Sequence, residues 1–158
     1  MSKVEAYPLV IRVAQRADVP AIVALFANDA IGGHGDTTDA SALPDYIAAF
    51  DRITASTNET LYVAEQNGAV VGTFQTMLTT TMTGRGSSSM IIEAVQTRAD
   101  CRGQGIGAQM IAFCLARAKE QGCAQAQLTS NAARLDAHRF YERLGFQKSH
   151  FGFKIKLK

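Results

Sequence analysis

No part of this sequence narrows its fold as much as Arg102-Gly103-Gln104-Gly105-Ile106-Gly107-Ala108. A β-like run, Met90-Ile91-Ile92-Glu93-Ala94-Val95, precedes it, and a helix-like run from Met110 to Glu120 follows. Glycine takes positive φ without a Cβ penalty and lets backbone approach a ligand. A helix starting there directs unpaired N–H groups and a partial positive charge at the gap. A strand, a glycine loop and a helix in that order form a ready site for a phosphate or pyrophosphate.

Composition leaves room for such a site inside one folded domain, and a single domain over residues 1–158 is expected. The chain has 158 residues, 47% hydrophobic and 19% charged, enough for a core. A net charge of +2 and no basic run argue against a nucleic-acid partner. The N-terminus lacks the apolar stretch of a signal peptide, and no window approaches the ~18 apolar residues of a membrane span. Cys101, Cys114 and Cys123 lack C-x-x-C spacing and read as free thiols in a reducing cytoplasm. His34, His138 and His150 are scattered, so no metal is expected.

Periodicity sets the order of elements. Residues 9–14 read as a strand, and 18–29 as a helix capped by Asp18 with Pro20 in its first turn. A glycine-rich break, Ile31-Gly32-Gly33-His34-Gly35-Asp36, leads to a second helix over 43–55. Strands over 60–65 and 70–78 flank Asn67-Gly68, the signal for a type I′ hairpin. A turn at 83–87 leads to a strand over 89–97. Then come the glycine loop, a helix over 107–121 ended by Gly122, a strand over 124–130, and a short helix over 136–144 closed by Gly145. Residues 146–149 and 151–157 alternate as closing strands, with Phe153, Ile155 and Leu157 set against Lys154, Lys156 and Lys158. The expected fold is an α+β sandwich, a mixed and mostly antiparallel sheet between helices.

Three kinds of phosphate loop compete. A P-loop requires Gly-Lys-Ser/Thr, but Gly107 precedes Ala108-Gln109. The dinucleotide fingerprint fits Gly103-x-Gly105-x-x-Ala108. However, Arg98–Arg102 separate it from the strand, and the next strand ends neutrally at Leu128-Thr129-Ser130-Asn131. The third pattern, Arg/Gln-x-x-Gly-x-Gly/Ala, is met throughout by Arg102 to Gly107. With Ile92-Glu93-Ala94-Val95-Gln96-Thr97 before it, and Asn131 and Phe140-Tyr141-Glu142-Arg143-Leu144-Gly145-Phe146 after it, the sequence resembles the GNAT N-acetyltransferase superfamily.

The resemblance implies the GNAT fold, with its sheet splayed at the central strands, and acetyl-coenzyme A as cosubstrate. It places backbone N–H groups of Arg102, Gly103, Gln104, Gly105, Ile106, Gly107 and Ala108 around the pyrophosphate. Val95 and Thr97 would face the pantetheine arm by strand addition. Asn131, Ala137 and Tyr141 would lie beside the coenzyme. The Val95 N–H would hold the oxyanion, Glu93 would assist deprotonation of the amine, and Tyr141 would protonate the leaving thiolate. By simple alternation Glu93, Val95 and Thr97 share one strand face.

Expected activity is transfer of acetyl to a primary amine of a small molecule or peptide in a ternary complex. His34, Asp36, Asp39 and Asp45 are the polar groups on the acceptor side, where residues 28–51 and 149–153 are implied to shape the pocket. His138 reads as an exposed helix histidine and Arg134 as a solvated loop arginine. The resemblance also implies that two copies pair through edge strands. Two rivals stand beside the enzyme: a catalytically silent coenzyme A-binding sensor on the same fold, and a nucleotide-dependent oxidoreductase.

Overall fold

The computed structural model describes residues 7–29, 31 and 34–158. Of the expected glycine-rich break, Gly32 and Gly33 lie outside the described residues. The elements are β1 (Leu9–Val13), α1 (Val19–Ala27), α2 (Leu43–Ala55), β2 (Glu59–Gln66), β3 (Ala69–Thr80), a four-residue turn α3 (Thr83–Gly86), β4 (Ser88–Thr97), α4 (Ile106–Glu120), β5 (Gln125–Leu128) and α5 (Leu135–Arg143). Contacts divide the chain into two compact units, Met1–Gln127 and Leu128–Lys158.

The five strands form one mixed sheet in the order β1-β2-β3-β4-β5, antiparallel from β1 through β4. The β2–β3 hairpin turns at Asn67 (φ 50°) and Gly68 (φ 74°), with Gln66 opposite Ala69. Positive φ at both central residues is the type I′ geometry that the Asn-Gly pair predicts.

Alternation in β2 sends neighbouring side chains to opposite faces of the sheet. Val63 packs with Ala14, Val19, Ile22, Val23 and Phe50, so α1 and α2 cover its face. Tyr62 stacks on Phe74 at 4.9 Å, and both rings meet Phe113 of α4 edge-on, so α4 covers the other face. Helix α4 buries Ile106, Met110, Ile111, Cys114 and Ala118, one stripe at helical spacing. At Gly72 α4 comes close to β3, since a Cβ there would lie 2.8 Å from Met110 Sδ. A glycine inside a strand often marks such an approach.

Both long C-terminal helices stop the same way. Cys123 N–H donates to Ala118 C=O and Gly122 N–H to Lys119 C=O. In α5, Phe146 N–H donates to Tyr141 C=O and Gly145 N–H to Glu142 C=O. Gly122 and Gly145 have positive φ, so each is the C′ glycine of a Schellman motif.

Three expectations are corrected. Asp18 makes no side-chain cap to α1. Its carboxylate instead accepts two bonds from Arg12, at 2.7 and 2.9 Å, and one from the Gln15 N–H. Arg12, held by Glu65 of the neighbouring β2 at 2.7 Å, thus outbids the local cap from β1. Residues 146–158 form no strand. Phe151, Phe153, Ile155 and Leu157 are 86, 95, 84 and 89% exposed, so the alternating pattern has no sheet to bury it in this chain. The third correction concerns the face of Glu93 and belongs with the site.

Candidate functional site

Strand β4 is irregular where the site residues lie. Gln75 pairs with Glu93 and Thr73 with Gln96, so two steps along β3 match three along β4. Ala94 has φ +53°, a left-handed conformation rare for a residue with a Cβ. Together these define a β-bulge in which Ala94 and Val95 share a single partner position, Phe74.

The bulge reverses the side-chain phase. Directly paired residues point to the same face, so Glu93 and Gln96 lie on the face of Gln75 and Thr73, while Thr97 lies with Gly72. Glu93 and Thr97 therefore point to opposite faces, and simple alternation fails. Exposed Glu93 is on the side covered by α1 and α2, and half-buried Thr97 is on the α4 side. Gln96 Nε2 donates to Asp29 Oδ2 at 2.9 Å, which ties the bulged strand to the end of α1.

From Thr97 the chain turns through Ala99–Cys101 into the glycine loop. Arg98 N–H donates to Val71 C=O at 2.7 Å, which holds the turn to β3. Arg98 Nε lies 2.6 Å from Asp100, and that bond keeps the Asp100 carboxyl below its usual range. Cys101 is buried and anchors the turn, a role its sequence position does not announce.

Arg102, Gly103, Gln104 and Gly105 are exposed. Gly103 (φ +79°) and Gly105 (φ +81°) have left-handed backbones, and a Cβ on either would meet nothing within 4 Å. Backbone conformation rather than crowding by the protein thus requires glycine here. Gly105 is the N-cap of α4, with no side-chain cap bond and no acidic residue in the first turn. Ile106 is buried and fixes the helix start, while Gly107 and Ala108 are half-buried in its first turn. The leading N–H groups of a 15-residue helix thus emerge from an exposed, positively polarised loop.

The remaining expected residues belong to the second unit. Asn131 Oδ1 accepts from Ala133 N–H at 2.9 Å, an Asx turn at the entry to α5. His138 is half-buried, with Nε2 2.9 Å from the Asn131 carbonyl and Nδ1 buried without a hydrogen-bond partner, rather than exposed as expected. Half-buried Ala137 lies on α5. The half-buried Tyr141 ring meets Phe140 at 5.1 Å and Phe146 at 5.9 Å, both edge-on. Arg134 is half-buried at the helix entry.

In the segment expected to face the acceptor, Tyr46 of α2 donates its hydroxyl to Asp36 at 2.8 Å and accepts from Thr37 N–H. The bond to Asp36 raises the Tyr46 phenol pKa. Asp36 thus pins the loop, while His34, Asp39 and Asp45 are exposed. A cleft of about 480 Å³ lies against α1 and the hairpin, lined by Ala21, Ala24, Asn28, Gly68 and Arg98 among others. It includes neither Glu93 nor any loop glycine. Among the described residues no group of three His, Cys, Asp or Glu side chains could hold a metal, and no helix is long and apolar enough to cross a membrane.

Residues 23–146 match the Acetyltransferase (GNAT) family. The chain belongs to that family. Its fold is shared with the crystal structure of a transcriptional regulator from Bacillus halodurans C-125, at 38% identity and a TM-score of 0.91 over 95% of this chain and 100% of that one. An acetyltransferase from Clostridium acetobutylicum, crystallised with acetyl-CoA, has a TM-score of 0.73 at 19% identity, over 95% of this chain and 97% of that one. At that identity the likeness is one of fold. An aminoalkylphosphonate N-acetyltransferase from Salmonella typhimurium is 46% identical over 52 residues. That match spans 33% of this GNAT chain and 34% of the relative.

Proposed function

We propose that this GNAT-family chain is an N-acetyltransferase that moves the acetyl group of acetyl-coenzyme A to a primary amine of a small molecule or peptide. The observation that carries the reading is the uncapped start of α4 at Gly105, reached through a short turn from a bulged strand bearing an exposed carboxylate. Backbone N–H groups of residues 102–108 bind the pyrophosphate, and the backbone of Val95 and Thr97 aligns the pantetheine arm. Asn131 and Ala137 border the coenzyme. The family match runs across both compact units, which supports a single acetyltransferase domain over 1–158.

The amine nitrogen attacks the thioester carbonyl in a ternary complex. Glu93, directly or through water, takes the proton that the nitrogen must lose. The Val95 N–H stabilises the oxyanion as the tetrahedral intermediate forms. When the intermediate collapses the C–S bond breaks, and Tyr141 donates a proton to the departing thiolate. The bulge supports this division of labour: it turns Glu93 toward α1 and α2, where the acceptor is expected, while the coenzyme loop leads into α4. The aminoalkylphosphonate enzyme favours a small amine among the acceptors. Free, buried Cys101 and Cys114 are in keeping with a reducing cytoplasm.

The test is thiol release from acetyl-coenzyme A against a panel of amines that includes aminoalkylphosphonates. Release should depend on amine, and Tyr141→Phe should lower kcat about 10²-fold or more. An unchanged kcat across pH would remove Tyr141 as the acid. A second reading draws on the Bacillus halodurans regulator: a silent module that binds the coenzyme to control something else. It predicts saturable coenzyme binding by calorimetry with no release on any amine.

A further inference from the structure

In a regular β4 strand Gln96 would lie on the α4 face, opposite Glu93. The bulge at Ala94 and Val95 brings it onto the face of Glu93 instead. Their partners Thr73 and Gln75 lie two positions apart on β3. Gln96 therefore follows Glu93 by about 7 Å on that face. There half-buried Gln96 donates Nε2–H to Oδ2 of half-buried Asp29 at 2.9 Å. Asp29 is the second residue beyond α1, where the chain sets out toward α2. Its other oxygen, Oδ1, accepts the Ile31 N–H at 3.2 Å, an Asx turn that directs the chain as it leaves the helix. One side chain of β4 thus grips the carboxylate that aims the segment expected to face the acceptor.

We propose that Gln96 is a positioning residue: through Asp29 it sets the direction of the chain after α1 and so, resting on the acetyltransferase reading, the seat of the amine beside Glu93. The helix itself does not depend on this bond. Ile22, Val23 and Leu25 bury the inner face of α1. Asn28 N–H donates to Ala24 C=O and Asp29 N–H to Phe26 C=O, so the last turn is closed by its own backbone. What Gln96 adds is direction beyond the helix. The bond also links two jobs of one strand, since Glu93 and Gln96 share a face only because of the left-handed Ala94.

The test uses the full chain and reverses the bond without changing its shape. Gln96→Glu sets two carboxylates against each other at 2.9 Å. Gln96→Glu combined with Asp29→Asn restores one donor and one acceptor in the opposite sense, at unchanged net charge. Gln96→Ala removes the donor and adds no charge. Hydrogen exchange by NMR at the Asn28, Asp29 and Ile31 amides should quicken in both single variants and return to the wild-type rate in the swap. In thiol release, each single variant should raise the KM for amine about 10-fold, as loss of a hydrogen bond to a charged group implies, with kcat within about 3-fold. The coenzyme Kd should not move in calorimetry, and the swap should bring KM back to within about 3-fold of wild type. Unchanged exchange in the single variants, a loss that falls on kcat with KM unmoved, or a swap no better than Gln96→Glu would each overturn the proposal. If the wild type releases thiol with no amine, the acetyltransferase reading falls, and exchange alone decides whether Gln96 sets the chain after α1.

Discussion

Substitution of Ala94 tests the bulge through the sign of its effect. In a regular, exposed strand position Ala→Gly loses about 0.5–1 kcal/mol, and a β-branched residue is favoured. At φ +53° both signs reverse. Removing the Cβ from a left-handed backbone relieves about 1–2 kcal/mol. The added freedom of glycine in the unfolded chain returns about 0.5–1 kcal/mol. Ala94 is exposed, so no packing is lost, and Ala94→Gly should gain about 0–1.5 kcal/mol. Ala94→Val places a branched side chain where it fits worst and should lose about 1–2 kcal/mol. Urea unfolding followed by circular dichroism reads both, since 1 kcal/mol moves the midpoint by roughly 0.5 M at an m of about 2 kcal/mol/M. A lower midpoint for Gly together with a higher one for Val would mean a regular strand. Glu93 and Thr97 would then share a face, and the division between acceptor and coenzyme sides would fail.

Asp18→Asn should cost about 1–3 kcal/mol, because it removes the charge that accepts two Arg12 bonds and the Gln15 N–H, discounted for the partial exposure of Arg12. Those bonds, the one from Arg12 foremost, lower the Asp18 pKa, so its stabilisation is complete above the unfolded value near ~4. It fades as pH falls through the folded value. The stability gap between wild type and variant should therefore be flat from about pH 5 to 8 and narrow in acid, as chemical unfolding across pH would show. Gly72→Ala should lose about 1–3 kcal/mol by the same assay, since its Cβ would sit 2.8 Å from Met110 Sδ and 3.2 Å from the Gln96 carbonyl oxygen. Burial pushes the Cys114 thiol up to about 12, so a thiol reagent at pH 8 should label Cys114 only as fast as the chain unfolds.

What the sequence discloses here follows from how far each signal reaches. The α2 boundaries, the Asn67-Gly68 turn and the C′ glycines at 122 and 145 rest on interactions within a few residues, and the strings that encode them are local. The glycine loop was equally legible, because positive φ and an open helix start both need glycine nearby. The bulge was not, since an alanine in a β-rich run carries no mark of left-handed φ, and one extra residue inverts every later side chain. Asp18 misled because its strongest partner, Arg12, lies six residues upstream in β1, outside the capping window downstream of it. The closing strands expected over 146–149 and 151–157 do not form, since alternation reports an amphipathic pattern but not whether any sheet receives it.

The start of α4 carries one more consequence. An anion seated on the N–H groups after Gly105 would complete the first turn of a helix whose inner stripe is central to the core. A ligand bound there would act as part of the scaffold. At a hundredfold excess over its Kd such a ligand adds about 2.7 kcal/mol to the folded state. The lifetime of the protein against proteolysis should then rise and fall with the supply of that ligand.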